Sequence, residues 1–202
     1  MYRIVVFVSG RGSNLKAILK SQSEKIEIAA VVSDRLNCPA FEIADQYNIP
    51  TFSVSEKTKP GFVNYFDLLK HFSEVNVDLI VLAGFLKKIP DEVVEQFENR
   101  IINIHPALLP SFGGKGMYGK YVHQAVFDRS CQVSGATIHF VDKIYDNGKI
   151  IAQKTVDISD VNTPEEIAER VLGIEHQILP EVVNKFAQNK IIIKNNRVLI
   201  QN

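Results

Sequence analysis

An apolar strand pattern, a glycine turn and a helical pattern stand in that order at the start of the chain. Residues 2–8 (YRIVVFV) are β-branched or apolar at nearly every position, which is typical of a central strand buried in a parallel sheet. Residues 9–14 (SGRGSN) follow, and apolar residues then recur at helical spacing from Leu15. A strand that turns directly into a helix begins a β–α–β unit, so the chain is restricted to folds built around a parallel sheet.

The same alternation continues through the first half of the chain. Strand patterns recur at residues 25–33, 49–54, 77–83 and 100–104, and helical patterns recur at residues 38–47, 62–72 and 92–97. Strands that are separated by helices pair in parallel, because the helix carries the chain back across the sheet. The sequence therefore predicts an α/β fold with an open, mostly parallel, twisted sheet flanked by helices.

The second half of the chain has a mixed pattern. Residues 133–141 alternate as a strand and residues 150–156 form a returning strand, with the turn signal Asn147-Gly148 between them. This arrangement predicts an antiparallel hairpin with a long connection.

A helix and two short strands complete the predicted fold. Residues 163–166 (TPEE) combine a Thr N-cap, a proline at the first helical position and a glutamate at the third. The helix is expected to run to about residue 186 with a kink or a break at Pro180, before two short strands between residues 191 and 200. No linker interrupts the chain, so we expect a single domain over residues 1–202, with a nucleotide-type, phosphate-binding half (1–104) and a catalytic half (105–202).

Composition and charge exclude several classes of function. The hydrophobic fraction is 46%, the charged fraction is 23% and the formal net charge is zero, which gives no electrostatic reason to expect binding to nucleic acid or to a membrane surface. Cys38 and Cys131 lack metal-ligand spacing, and the first apolar run is too short for a secretory signal. No run reaches the roughly 20 apolar residues of a membrane span, so we expect a cytoplasmic protein without a metal.

The glycine turn after the first strand is a candidate anion site. A glycine loop that leads into a helix presents backbone N–H groups and the positive end of the helix dipole. A tight turn capped by Ser13 or Asn14 is the alternative. We favour phosphate binding because the loop holds more glycine and capping residues than a plain turn requires.

A second candidate element ends the strand at residues 100–104. Asn103 can donate a hydrogen bond to an oxyanion, and His105 can carry a proton near neutral pH. The glycine loop, the residues Gly84-Phe85-Leu86 and this pair all follow strands, and ligands bind at the carboxyl ends of strands in such sheets. We therefore expect a substrate site at this edge.

The carboxylate partner of His105 is open between Asp142 and Asp146. Asp146 precedes Asn147-Gly148, where it fits a turn residue as well as a catalytic carboxylate. His139 alternates with apolar residues, which is typical of a wall residue. Because no nucleophile is paired with a base, the pattern favours direct attack of one substrate on another.

Other polar residues are expected to be structural. Residues 111–120 (SFGGKGMYGK) hold four glycines and predict a mobile, solvated loop. Lys115, Lys120 and His123 are expected to belong to this solvated lid, and Glu175 and His176 to a helix surface.

Taken together, these motifs resemble the phosphoribosylglycinamide formyltransferases, purine-pathway enzymes within the folate-dependent formyltransferases. The resemblance rests on residues 9–15 (SGRGSNL), 81–85 (VLAGF), 103–110 (NIHPALLP), 135–141 (GATIHFV) and 146–148 (DNG). It covers nearly the whole chain, and it implies a formyltransferase, Rossmann-like sheet.

The resemblance also implies roles for individual residues. Asn103 and a protonated His105 would stabilise the oxyanion, and Asp146 would pair with His105 and relay the proton. The residues that would bind the glycinamide ribonucleotide are Gly12, Ser13, Asn14 and Glu175. The residues that would bind the folate are Leu86, Lys87, Lys88, Ile89, Asn103, Val141, Asp142 and Asp146.

The implied reaction is transfer of a formyl group from 10-formyltetrahydrofolate, a co-substrate, to the amine of 5-phosphoribosylglycinamide. Small-molecule substrates, no nucleic acid, no membrane, no metal and a monomer or homodimer are expected. A formyltetrahydrofolate hydrolase and a non-catalytic phosphate- or folate-binding module are the alternatives. The sequence departs from the family pattern at Lys149, at Leu172 and over residues 113–121, and it lacks a clear match for an arginine near the folate tail.

Overall fold

The fold was taken from a computed structural model, which describes residues 1–21 and 23–201. The strands are β1 (Tyr2–Val8), β2 (Ile26–Ser33), β3 (Thr51–Ser53), β4 (Leu79–Leu82), β5 (Ile101–His105), β6 (Val133–Phe140), β7 (Ile150–Asp157), β8 (Ile191–Lys194) and β9 (Arg197–Ile200). The helices are α1 (Ser13–Ser21), α2 (Ala40–Gln46), α3 (Tyr65–Glu74), α4 (Asp91–Gln96), α5 (Lys120–Asp128) and α6 (Pro164–Ala187).

Seven strands form one sheet in the order β3-β2-β1-β4-β5-β6-β7. Strand β1 pairs in parallel with β2 and with β4, and β2 pairs in parallel with β3. Strands β6 and β7 pair antiparallel, and β8 and β9 form a separate antiparallel pair. The predicted α/β fold, with a mostly parallel sheet and an antiparallel hairpin in the second half, is confirmed.

The chain divides into two compact units, Met1–Ile102 and Asn103–Asn202. This division lies two residues before the boundary predicted between the two functional halves. The expectation that both halves form a single domain stays a prediction.

Aromatic rings organise the core of the first unit. The fully buried Phe7 ring of strand β1 packs edge-to-face on Phe85 and on Phe72, with centroid distances of 5.2 and 6.3 Å. Phe97 contacts Phe72 in the same manner at 6.3 Å. Each edge-to-face pair contributes about 0.5–1.5 kcal/mol beyond the burial of its area. Through these rings β1 packs on α3 and on the segment that follows β4.

Helix α6 is continuous from Pro164 to Ala187 in the second unit, so the expected extent to about residue 186 is confirmed. Of the two alternatives at Pro180 the break is excluded, and the kink stays a prediction. Proline removes one backbone donor, but Pro180 and its neighbours Leu179 and Val182 are buried along this helix. The Asn184 side-chain amide donates to the Pro180 carbonyl oxygen at 2.9 Å. Burial of this face maintains the helix through the proline. The helix start is confirmed, because the Thr163 hydroxyl accepts from the backbone N–H of Glu166.

The long connection predicted between β6 and β7 is present, and Asp146 and Gly148 have different roles in it. The left-handed backbone conformation is at Asp146, with a φ of 53°. Gly148 is needed for another reason, because a side chain there would collide with the Phe140 carbonyl. The conformation of this connection therefore determines the direction of the Asp146 side chain.

Across residues 1–21 and 23–201, no helix is both long enough and apolar enough to cross a membrane.

Candidate active site

Strand β5 ends in Asn103 and His105, the pair predicted from the sequence. His105 is only 3% exposed, and Asn103 is half-buried. Directly after the strand, the buried Thr137 hydroxyl donates to the Ala107 carbonyl oxygen at 2.6 Å and accepts from the Leu109 N–H at 3.0 Å. This side chain from β6 fixes the direction in which the chain leaves β5, and it therefore helps to orient His105.

The two ring nitrogens of His105 have different partners. Nε2 lies 2.8 Å from the Phe112 carbonyl oxygen, and Nδ1 lies 3.6 Å from Oδ2 of Asp146. A carbonyl oxygen only accepts hydrogen bonds, so Nε2 must carry the hydrogen. Proton exchange is thereby assigned to Nδ1, which faces the carboxylate.

Asp146 is held by contacts to both of its oxygens. Oδ2 accepts a hydrogen bond from the Gly114 N–H at 2.8 Å, and Oδ1 lies 3.6 Å from Nε2 of His139. Burial alone would raise the pKa of the Asp146 carboxyl. His139, His105 and the Gly114 N–H outweigh that effect and lower the pKa below its ordinary value. The carboxylate is therefore ionised at neutral pH.

Burial lowers the pKa of His105, because it disfavours the charged imidazolium. The neighbouring Asp146 carboxylate and the Phe112 carbonyl oppose this effect in part, and His139 adds to it. The neutral ring, with a lone pair on Nδ1, is thus favoured before substrates bind. That form can accept a proton, and Asp146 would stabilise the resulting cation.

His139 joins Asn103 to the cluster. Its Nδ1 lies 2.7 Å from the Phe140 carbonyl oxygen and must therefore carry the hydrogen. Nε2 lies 3.1 Å from the nitrogen of the Asn103 side-chain amide, which donates to it whenever Nε2 carries no hydrogen. In that tautomer, within the described residues, one hydrogen of the amide is directed at His139 and the other is left for an oxyanion.

The structure distinguishes between the two candidate carboxylates. The Asp142 side chain accepts from the Ile144 N–H and from the Asn147 amide, each at 2.8 Å. It therefore organises its own turn, whereas Asp146 lies beside His105. Asn103, His105 and Asp146 come together as expected, and His139 joins them.

Two contributions to this cluster come from the backbone of the glycine-rich loop, which sequence reasoning assigned to a solvated lid. Phe112, with a φ of 56°, supplies the carbonyl that fixes His105. Gly114 supplies the N–H that holds Asp146. Backbone groups carry no residue-type signal, so only the density of glycines in the loop could have indicated a special conformation.

Two other residues differ from their expected positions. His123 is buried in α5 rather than solvated, and among the described residues its Nδ1 has no hydrogen-bond partner. Burial, followed by the charge of His105, lowers the pKa of His123. Glu175, which was expected on a helix surface from its pattern alone, is 8% exposed on α6. Buried carboxylates are uncommon, so the helix-surface position expected for Glu175 from its pattern is wrong.

The candidate phosphate loop lies in the first unit. Gly12 has a φ of 73°, and a side chain there would approach the Ala40 Cβ to 2.7 Å. Helix α1 begins at Ser13 and includes the buried Asn14. The first N–H groups of a helix lack partners within it, so residues 12–14 can present donors to an anion.

The candidate folate segment, residues 86–89, also lies in the first unit. Leu86, Lys87 and Lys88 are exposed, and Lys88 forms an ion pair with Asp91 at 2.8 Å. Ile89 is buried with 3% exposure, so it anchors the C-terminal end of this segment in the core. In the second unit, Val141 is half-buried after β6.

Within the described part of the chain, the histidine, cysteine, aspartate and glutamate side chains form no cluster that could hold a metal ion.

The chain is similar to known formyltransferases over nearly its full length. A family model described as formyl transferase matches residues 2–183. The phosphoribosylglycinamide formyltransferase of Bacillus subtilis is 35% identical over 92% of this chain and 94% of its own length. The chloroplastic enzyme of that name from Arabidopsis thaliana is 41% identical over 99% of this chain and 70% of its own length.

Solved structures give the same result. The crystal structure of phosphoribosylglycinamide formyltransferase from Anaplasma phagocytophilum matches with a TM-score of 0.90 and 35% identity, and the match covers 100% of this chain and 95% of that one. The resemblance seen in the sequence motifs is confirmed: this chain belongs to the formyl transferase family.

Proposed function

We propose that this chain transfers the formyl group of 10-formyltetrahydrofolate to the amine of 5-phosphoribosylglycinamide in de novo purine synthesis. The products are formylglycinamide ribonucleotide and tetrahydrofolate. The observation that carries the proposal is the cluster of Asn103, His105 and Asp146, a donor, a proton carrier and a carboxylate with no nucleophile among them. The relatives that carry the name of this reaction support it.

The acceptor would be held through its phosphate and its ribose. The N–H groups of Gly12, Ser13 and Asn14 suit a phosphate because they stand at the positive end of a helix dipole. Glu175, a buried carboxylate on α6, would accept hydrogen bonds from the ribose hydroxyls or from the glycinamide end. A phosphorylated acceptor uses this loop, whereas water would not.

The folate would be bound by the residues that the family resemblance implies. Leu86, Lys87, Lys88 and Ile89 would line the pterin site with Val141 and Asp142. The apolar Leu86 side chain is 44% exposed, so it is free to pack against a flat ring. The 10-formyltetrahydrofolate is a co-substrate that supplies the formyl carbon.

In the proposed reaction, the glycinamide amine attacks the formyl carbon and a tetrahedral oxyanion forms. The unused hydrogen of the Asn103 amide stabilises the oxyanion. Nδ1 of His105 accepts the proton that the amine loses, and the ionised Asp146 stabilises the cation that results. The proton then passes to the folate nitrogen as its bond to the formyl carbon breaks, and this step restores neutral His105.

This sequence of steps differs from the implied role of His105 in one respect. The family resemblance implies a protonated His105, whereas burial lowers the pKa of His105 in the free protein. In our proposal the positive charge forms during the attack rather than before it. The charge then appears beside the oxyanion at the moment when it stabilises the transition state most.

A cytoplasmic location and a monomer or homodimer, without nucleic acid or membrane partners, belong to the same proposal. The relative from Arabidopsis thaliana is named as a chloroplastic enzyme. Size-exclusion chromatography with light scattering decides between the two oligomeric states.

The proposed function is tested by comparing acceptors in a steady-state assay of the purified chain. With 10-formyltetrahydrofolate as donor, we expect rapid tetrahydrofolate formation with 5-phosphoribosylglycinamide and a large loss of kcat/KM with the dephosphorylated glycinamide riboside. Equal rates with the two acceptors would refute the role of the phosphate loop. Release of formate without any acceptor, at the same rate, would favour the hydrolase instead.

A further inference from the structure

Ser9 connects the end of β1 to the loop that follows β4. It is 2% exposed and stands just before the glycines of the phosphate loop. Its backbone N–H donates to the Gly84 carbonyl oxygen at 3.1 Å. Its side-chain hydroxyl accepts from the Leu86 N–H at 2.9 Å. One residue therefore makes two contacts to the turn that leads into residues 86–89.

These bonds extend the β1–β4 ladder beyond its last paired residues. The Ala83 N–H donates to the Phe7 carbonyl at 2.9 Å, one step before the Ser9 contacts. The Phe7 and Phe85 rings meet edge-to-face at 5.2 Å on the same path. The Ser9 hydroxyl thus continues this series of contacts past β4, and it holds the exposed residue Leu86.

The residues of that segment lie mostly at the surface. Leu86, Lys87 and Lys88 are exposed, between the buried Phe85 and Ile89. The Lys88–Asp91 ion pair is also exposed, with both side chains more than 40% accessible, and pairs of this kind contribute little. The hydrogen bond from the Leu86 N–H to the buried Ser9 hydroxyl therefore anchors the start of this segment.

The opposite side of the phosphate loop has a separate anchor. The Gly10 carbonyl oxygen accepts from the Cys38 thiol at 3.3 Å and from the Ala40 N–H at 3.2 Å. Gly12 packs directly against Ala40. Because these contacts involve other atoms than those of Ser9, the two anchors can be removed one at a time.

We propose that Ser9 is a positioning residue for the folate site, although it belongs to the phosphate-loop sequence. Its hydroxyl fixes Leu86, and Leu86 begins the segment that packs on the pterin. Cys38 acts on the other side and positions the part of the loop that binds the acceptor phosphate. This inference rests on the proposed function, which assigns the folate to residues 86–89 and the phosphate to residues 12–14.

The local claim is tested by amide hydrogen exchange on the free protein. Ser9→Ala removes the acceptor of the Leu86 N–H, and we expect that amide to exchange about fivefold to tenfold faster, the size of effect that one net hydrogen bond gives. Ser134→Ala is the matched control, because Ser134 is also buried and, within the described residues, its hydroxyl has no hydrogen-bond partner. Unchanged exchange at Leu86 in Ser9→Ala would overturn the proposal.

The functional claim is tested by the affinity for each substrate. For Ser9→Ala we expect the Kd for tetrahydrofolate and the KM for 10-formyltetrahydrofolate to rise about fivefold to tenfold, with the KM for the acceptor within twofold. For Cys38→Ala we expect the reverse pattern and normal exchange at Leu86. Cys131→Ala, which changes the other free cysteine, should match the wild type. Ser9→Cys, with a weakly accepting sulfur, should lie between Ser9→Ala and the wild type.

The outcomes separate this inference from the proposed function. If the wild type turns over both substrates but Ser9→Ala and Cys38→Ala raise the two KM values equally, the inference is wrong and the proposed function stands. If the wild type shows no formyl transfer, the proposed function fails, and the functional part of the inference fails with it. Faster exchange at Leu86 would then still report the Ser9 contact.

Discussion

Replacement of Asp146 by asparagine tests the electrostatic part of the mechanism. The substitution keeps the size of the side chain and an oxygen that can accept from Gly114, but it removes the charge that lies 3.6 Å from Nδ1 of His105. Two unit charges at that distance attract by about 4–5 kcal/mol at an effective dielectric constant of about 20. The side chain is 12% exposed, so solvent reduces this attraction.

The expected loss in kcat is about 10²–10³-fold, since each 1.36 kcal/mol of transition-state stabilisation corresponds to about tenfold in rate. The assay is steady-state formyl transfer at pH 7.5 with both substrates saturating. Asp160→Asn is the control, because it removes an exposed carboxylate that pairs with Arg170, and it should retain wild-type kcat.

The same variant should also move the pH profile. Asp146 raises the pKa of His105 against the effect of burial, so its removal lowers that pKa further. If neutral His105 accepts the proton, the acid limb of kcat/KM shifts to lower pH in Asp146→Asn. A kcat within tenfold of the wild type, together with an unmoved acid limb, would refute the pairing of these two residues.

Two further predictions concern the glycine-rich loop and the buried histidines. A side chain at Gly113 would collide with Leu109 and approach the Asp146 Cβ to 3.2 Å, so Gly113→Ala should lower kcat more than it raises either KM. The control is Gly173→Ala on α6, where a side chain would meet no neighbour within 4 Å, and it should retain kcat. Equal kcat in the two variants would contradict this prediction. Burial lowers the pKa of both His105 and His123, so the unfolded state takes up protons first as the pH falls, and the free energy of unfolding should decrease from about pH 6.5 downward. Urea denaturation between pH 8 and pH 5, for example, should show this decrease, and a smaller one in His123→Gln; an equal slope in both proteins would be the contrary result.

Much of the fold could be predicted from local patterns. The run at residues 2–8 is apolar because β1 is buried on both faces, and the N-cap residue Thr163 follows from its hydroxyl and the glutamate three positions later. The sequence left a kink or a break open at Pro180 because its missing donor is a local property, whereas the burial along the continuous α6 is a tertiary one.

The candidate site could be predicted only in part, because some of its geometry depends on backbone conformation and tertiary contacts. Asn103 and His105 could be found because their side chains carry the chemistry at the end of a strand. The choice between Asp142 and Asp146 depends on a left-handed residue in a turn, which residue type does not encode. Phe112 and Gly114 contribute backbone atoms, which every residue type has, so the sequence does not indicate their roles.

The fate of the formyl carbon tests the proposed reaction most directly. With ¹³C in the formyl group of 10-formyltetrahydrofolate, NMR distinguishes formylated 5-phosphoribosylglycinamide from formate in a single sample. The mechanism predicts that the label appears on the acceptor amine at the rate of tetrahydrofolate formation, and that His105→Ala slows this by about 10²–10⁴-fold while the protein stays folded. Label that appears as formate at the same rate with and without the acceptor would contradict formyl transfer to an amine.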